Sequence, residues 1–222
     1  MLSIFYLEID SALGEKPGLS FFESRVKRAT FDEAMSFRND KVRLTRLLGE
    51  AMVWSGLRKL FGMEKEDCRI QRSEHGKPYL EGERLVYFNI SHSGTYIVCA
   101  FSDAEVGIDI EKIASPRYEV ARRFFHPEEV RLLENGKFKN ESLFYDIWVV
   151  KESFLKYKGT GLTCPLSSFQ VNIFPGKALI YEGGHLLTLN IRECPVAEGY
   201  KCYVCSPLKD VAAPVRWCLQ DL

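Results

Sequence analysis

The sequence predicts an α+β fold made of two halves, each an antiparallel sheet with packed helices, and three observations predict it. Helix-like and strand-like segments come in blocks (helix, strands, helices, strands) and not in the strict alternation of a doubly wound parallel sheet. The strand-like runs are short and bounded by turn residues, as antiparallel hairpins require. A length of 222 residues suits one large domain or two of about 100 residues each.

Taken in order, residues 4–9 read as a strand. Leu44, Leu47, Leu48, Ala51, Met52 and Leu60 recur at helical spacing over 40–61, with Asp40 as candidate cap. A basic run leads into this helix (Arg25, Lys27, Arg28, Arg38) and continues along it as Lys41, Arg43 and Arg46; it is either a solvated face or a local anion site. After the turn-forming His75-Gly-Lys-Pro78, residues 85–90 and 96–101 read as strands on either side of a polar turn, Ser91-His-Ser-Gly94. Residues 106–111 read as a third strand of the same antiparallel set. His126-Pro-Glu-Glu129 has the composition of a helix start, with His126 at the cap and Pro127 in the first position. A further helix covers 142–158 and stops at Gly159, and segments 169–173, 178–181, 186–192 and 200–205 form a second set of strands. The halves are expected to join near 102–106, which divides the chain into 1–105 and 106–222.

Composition narrows the function classes. Thirty basic and thirty acidic residues cancel, so there is no global charge to favour nucleic acid or an anionic membrane. No run approaches the roughly 18 to 20 apolar residues of a spanning helix, and no basic n-region precedes an apolar core, so a cytoplasmic protein is the default expectation. Of seven cysteines only Cys202-Tyr-Val-Cys205 has metal-like or redox-like spacing. On a strand those two point to opposite faces and read as packed, reduced thiols.

The chemistry concentrates in Val106-Gly-Ile-Asp-Ile-Glu111 and Trp148-Val-Val-Lys-Glu-Ser-Phe-Leu-Lys156. Asp109 and Glu111, two apart on a strand, share a face about 6 to 7 Å apart. Glu152 and Lys156, four apart on a helix, also share a face, while Lys151 points about 100° away from Glu152. Singly, each is the composition of a solvated strand end or a surface ion pair. Together, with apolar Val106, Ile108 and Ile110 burying the strand, the carboxylates call for a counter-charge or a cation.

With His75-Gly-Lys-Pro78, Phe88-Asn-Ile-Ser-His-Ser93 and Gly159-Thr-Gly-Leu162 added, the order of blocks resembles the 4′-phosphopantetheinyl transferases, in particular the larger monomeric type that activates peptide and polyketide synthases. The resemblance implies two halves related by a pseudo-twofold axis, with coenzyme A and magnesium between them, and transfer of phosphopantetheine to a serine of an apo acyl or peptidyl carrier protein. It implies Asp109, Glu111 and Glu152 as ligands of Mg2+, with Mn2+ as substitute, and Lys156 on the phosphate under attack. Asp109, Glu152 and Lys156 form the catalytic set, Glu152 being the base directly or through a water, or else a positioner of the metal. For coenzyme A the resemblance implies His92, Arg46 and either Arg25 or Lys27 and Arg28 at the 3′-phosphate, Lys77 at the pyrophosphate, Ser91 as a nearby donor, and Lys151 and Lys156 as further cations. Neither nucleic acid nor membrane is expected as partner, and the chain is expected to be monomeric. Phe124, Phe125, Leu132 and Leu133, within 112–140, either face the carrier or fill the core. The competing functions are a metal-dependent pyrophosphate hydrolase and a non-catalytic coenzyme A or carrier-binding module.

Overall fold

The first strand, β1 (Leu2–Glu8), is apolar on both faces, which sets the layering of the whole molecule. Leu2 and Ile4 pack one way and Phe5 and Leu7 the other, so β1 has to be covered on both sides. The structure is a computed structural model that describes every residue except 16, 83–85, 117 and 136–139, and the side chains of residues 13 and 162. Short helices α1 (Ile9–Gly14), α2 (Leu19–Glu23) and α3 (Arg28–Ser36) lead to the long helix α4 (Asp40–Phe61). Its cap is Asn39, not the expected Asp40: the Asn39 side-chain Oδ1 accepts from Lys41 N and Val42 N. Next come β2 (Ile70–Arg72), β3 (Pro78–Leu80), β4 (Tyr87–Ser93), β5 (Tyr96–Ser102) and β6 (Gly107–Lys112). The second half adds α5 (Tyr118–Phe124), α6 (Pro127–Asn135), α7 (Glu141–Lys158), β7 (Phe169–Phe174), β8 (Lys177–Glu182), β9 (His185–Leu186), β10 (Asn190–Glu193), β11 (Tyr200–Ser206) and β12 (Val215–Trp217).

The two main sheets run β12-β1-β5-β4 and β6-β11-β10-β8-β7, with β9 on β8. All their ladders are antiparallel except β1 with β12. Leu2, Ile4, Val98 and Ala100 of the first sheet meet Ile108, Ile110, Cys202 and Val204 of the second, and the result is four layers: helices, sheet, sheet, helices. This is the α+β architecture the block order predicts. Cys202 and Cys205 do point into different clusters, and all seven cysteines are free. Among the described residues no helix is long and apolar enough to cross a membrane.

Several boundaries differ from the sequence reading. The opening strand covers Leu2–Glu8 and Ile9 already belongs to α1. Residue 85, the expected start of a strand, lies outside the described residues. The expected polar turn at 91–94 is strand as far as Ser93, and the reversal is carried by Gly94 and Thr95, where Thr95 N donates to the Tyr200 hydroxyl. The strand of Asp109 does not continue the first antiparallel set. It pairs with β11, because the chain crosses into the second sheet between Ser102 and Gly107. Segment 186–192 is two short strands, β9 and β10. The last residues, assigned by position to 106–222, return to the first half: β12 joins β1, Trp217 stacks on Phe5, and Ser55 Oγ donates to Leu222 O. Phe125 and Leu133 fill a core beneath α5 and α6, while Phe124 and Leu132 are exposed.

Helix α7 lies directly on β6. A Cβ on Gly107 would stand 2.1 Å from Ser153 O and 2.3 Å from Tyr157 N, so only glycine lets the helix backbone come this close. Gly107→Ala is therefore expected to destabilise the fold by about 1 to 3 kcal/mol through overpacking. Urea unfolding measures this, and an unchanged midpoint would show that α7 can lift off β6 without cost.

Candidate functional site

Strands β4 and β6 are the facing edges of the two sheets and share no backbone ladder. Side chains of β4 bridge the gap instead. Asn89 Oδ1 accepts from Ile108 N at 2.9 Å, Ser91 Oγ donates to Asp109 Oδ1 at 2.7 Å, and Ser93 Oγ donates to Glu111 Oε2 at 2.6 Å while accepting from Lys112 N. Positions 89, 91 and 93 are two apart, so strand geometry turns all three toward β6. Sequence reasoning singled out Ser91 but missed Asn89 and Ser93. Their signal was the alternation of small polar residues, readable once the segment is taken as strand.

Helix α7 adds the cation. Lys156 Nζ donates to Ser91 Oγ at 2.8 Å and to Asp109 Oδ1 at 2.7 Å, which closes a three-membered contact across the seam. Asp109 is only 4 % exposed, and its Oδ2 is buried with no hydrogen-bond partner. Burial raises the Glu152 carboxyl above its ordinary range, and the charges of Asp109 and Glu111 raise it further. Glu111 is raised for the same first reason, against the pull of its Ser93 hydrogen bond. His92, next to Ser91, is lowered by burial and then by the Lys156 ammonium, against the Asp109 carboxylate. The three carboxylates sense one another, yet among the described residues no three His, Cys, Asp or Glu side chains converge closely enough to hold one metal ion.

Beside this seam opens a cleft of about 880 Å³. Its apolar walls include Val53, Trp54, Phe88 and Ile90, and its cationic groups are Lys27, Lys41, Arg46, Arg69 and Arg72, with His92 at the side of the seam. Arg46 is fixed by Glu33, Glu50 and Thr30, and Glu50 also accepts from Trp54 Nε1 and Lys27 N. Arg69 and Arg72 were not foreseen, because they lie outside the basic run and reach the cleft only through the fold of β2.

Other expected cofactor contacts lie elsewhere. Arg25 stacks on the Phe21 ring and donates to Phe21 O, and Arg28 pairs with Asp32 on the surface; neither lines the cleft. Lys151 is a correction. It is fully buried, paired with Glu129 at 2.9 Å and donating to Leu166 O and Phe169 O, because its 100° offset from Glu152 turns it into the core of the second half. Lys77 stands at the seam but outside the main cleft, donating to Glu105 Oε2 and Tyr157 O.

Residues 105–205 match the family model described as the 4′-phosphopantetheinyl transferase superfamily, and residues 16–104 match that of the 4′-phosphopantetheinyl transferase N-terminal region. The chain is 34% identical over 213 residues to the 4′-phosphopantetheinyl transferase Sfp of Bacillus subtilis, covering 94% of each chain. It is 30% identical over 212 residues to the 4′-phosphopantetheinyl transferase gsp of Aneurinibacillus migulanus, covering 95% of this chain and 88% of the other. A holo-(acyl-carrier-protein) synthase from Bacillus anthracis, solved in complex with CoA, is 20% identical over 45% of this chain and 91% of its own, with a TM-score of 0.36.

The seam contact can be tested through stability alone. Lys156→Met leaves the buried Asp109 carboxylate without its cation and is expected to cost about 2 to 4 kcal/mol. Adding Asp109→Asn should recover a large part of that loss. Denaturant unfolding of the two variants checks it, and a double variant no more stable than Lys156→Met would show that the charge on Asp109 does not depend on Lys156.

Proposed function

This chain belongs to the 4′-phosphopantetheinyl transferase family, and we propose that the β4–β6 seam is its reacting centre and the adjoining cleft its coenzyme A site. The enzyme transfers phosphopantetheine from coenzyme A to a serine of a carrier protein and releases adenosine 3′,5′-bisphosphate. One observation carries the assignment of the site: Lys156, Ser91 and Asp109 meet across the seam, with an unsatisfied Asp109 oxygen beside a cleft lined with cations.

The donor set fits a hard divalent cation. Asp109, Glu111 and Glu152 offer carboxylate oxygens, Asp109 Oδ2 lacks a partner, and burial burdens both glutamates with charge they do not readily carry. A bound Mg2+, or Mn2+ in its place, supplies charge neutralisation at the pyrophosphate. Glu152, with its raised pKa, is suited to accept the proton of the carrier serine hydroxyl. That oxygen then attacks the pantetheine-side phosphorus in line, the bond to the bridging oxygen breaks, and the bisphosphate leaves. Lys156 offers its ammonium to the charge that develops on the transferred phosphoryl group. His92 can donate a hydrogen bond to the nucleotide phosphate, and Arg46, braced by Glu33 and Glu50, supplies a fixed charge.

The carrier's intact mass, recorded after incubation with Mg2+ and coenzyme A, tests the whole reading. A gain of one phosphopantetheine is expected, while consumption of coenzyme A without that gain would mean hydrolysis and no consumption would mean binding only. Asp109→Ala and Glu152→Ala are expected to lower the rate at least about 100-fold while keeping the fold. A near-normal rate removes that residue from the centre.

The raised carboxyls also predict how stability depends on pH. A carboxyl whose folded pKa lies above its unfolded value contributes stability below the ordinary glutamate range, and that contribution is lost as pH rises through the raised pKa. Glu152→Gln is therefore expected to raise the thermal midpoint near about pH 8 and to leave it unchanged near about pH 4. Millimolar Mg2+ should stabilise the unmutated protein at the higher pH and not at the lower. Equal shifts at both would place the cation elsewhere.

A further inference from the structure

Two of the sequence blocks, His75-Gly-Lys-Pro78 and Gly159-Thr-Gly161, take no part in the chemistry above, yet in the fold they meet. A Cβ on Gly159 would lie 3.2 Å from Lys77 Cδ, and one on Gly161 would lie 3.8 Å from His75 O. Gly159 takes the left-handed conformation that ends α7, so this position both closes the helix and leaves a path for the Lys77 stem. At the end of that path Lys77 Nζ donates to Tyr157 O at 3.0 Å and to Glu105 Oε2 at 2.6 Å. Tyr157 O is one of the last carbonyls of α7, where the helix dipole favours a cation. Glu105 lies on the crossing between the two sheets, and its own carbonyl accepts from Ser206 Oγ.

Lys77 belongs to the β2–β3 hairpin, and that hairpin is weakly held. Its two strands pair only with each other, an arrangement of marginal stability by itself. Ile70 and Leu80 rest on the core of the first half. Among the described residues, and apart from a 3.5 Å contact of Gln71 Nε2 with the adjoining Glu81, the hydrogen bonds that leave the hairpin start from Lys77 Nζ. The hairpin also has hollows on both sides: Arg72 and Pro78 line the main cleft, while Tyr79 and Leu80 line a second cavity of about 460 Å³ that Lys77 and Glu105 share.

We infer that Lys77 is a positioning residue, a latch that ties the β2–β3 hairpin to Glu105 and to the C-terminal end of α7 and so sets the width of the coenzyme A cleft. The inference rests on that cleft being the coenzyme A site. Lys156 precedes Tyr157 directly, so the latch and the ammonium at the reacting centre hang from the same turn of α7. The wall of the cleft and the reacting centre are thereby held to one support. Lys77 then acts on coenzyme A through the hairpin and not by touching its pyrophosphate.

The test compares Lys77→Met, Glu105→Gln and the double variant by amide hydrogen exchange over residues 70–80 and by coenzyme A KM and kcat in carrier loading. Both single variants are expected to speed exchange in the hairpin. Each should raise KM about three- to tenfold with kcat within about twofold, and the double variant should be no worse than Lys77→Met. A raised KM from Lys77→Met alone, with Glu105→Gln behaving as the unmutated protein, overturns the latch and puts Lys77 on the coenzyme A phosphates. Additive effects, or unchanged exchange in every variant, overturn it as well. Glu105 is half exposed, so its variant tests the contact without endangering the fold. Exchange needs no turnover: if the unmutated protein loads no carrier, the transferase reading of the site fails while the exchange data still decide the latch.

Discussion

The backbone of α7 rests on the backbone of β6 at Gly107, and the arrangement of the seam depends on that contact. With Ser153 and Tyr157 against the glycine, residues 152 and 156 of the same helix face flank the strand and come to stand over Asp109 and Glu111. A longer separation would carry the Lys156 ammonium out of reach of Ser91, and the two sheet edges would lose their one cationic bridge among the described contacts. A missing side chain on a strand thus governs the placement of charged ones on a helix.

The seam itself is an unzipped edge. Two strands side by side would ordinarily pair through their backbones, but here Asn89, Ser91 and Ser93 stand in for a ladder. The cost is a line of polar groups in a partly dry place, where burial raises the Glu111 and Glu152 carboxyls. Perturbed carboxyls of this kind cluster at functional sites.

How much of this was legible in the chain varied with the range of the forces involved. Helices α4 and α7 were readable because apolar residues at helical spacing and a terminal glycine are local signals. The acidic pair and Lys156 were readable from spacing and from the company of the other blocks. The end of β4 was misread as a turn because Ser91-His-Ser93 is turn-like in composition, and what keeps it extended is bonding to residues 18 positions away. Lys151 was misread for a similar reason: its partner Glu129 lies on another helix, and nothing near Lys151 in sequence announces it. The return of β12 to the first sheet left no local trace, since it is a matter of topology.

That return has a consequence for how the chain assembles. Phe5 pairs with Val215, so one side of β1 stays an open edge until the segment around residue 215 has been made. Neighbouring strands β4 and β5 form a hairpin early, and β5 can zip onto β1 soon after. The other flank of β1 has to wait for a contact separated by some two hundred residues, the kind that closes late. During synthesis the first half therefore exists as a three-stranded sheet with an exposed apolar-flanked edge. That interval, more than the finished fold, is when the protein is most open to pairing with the wrong strand.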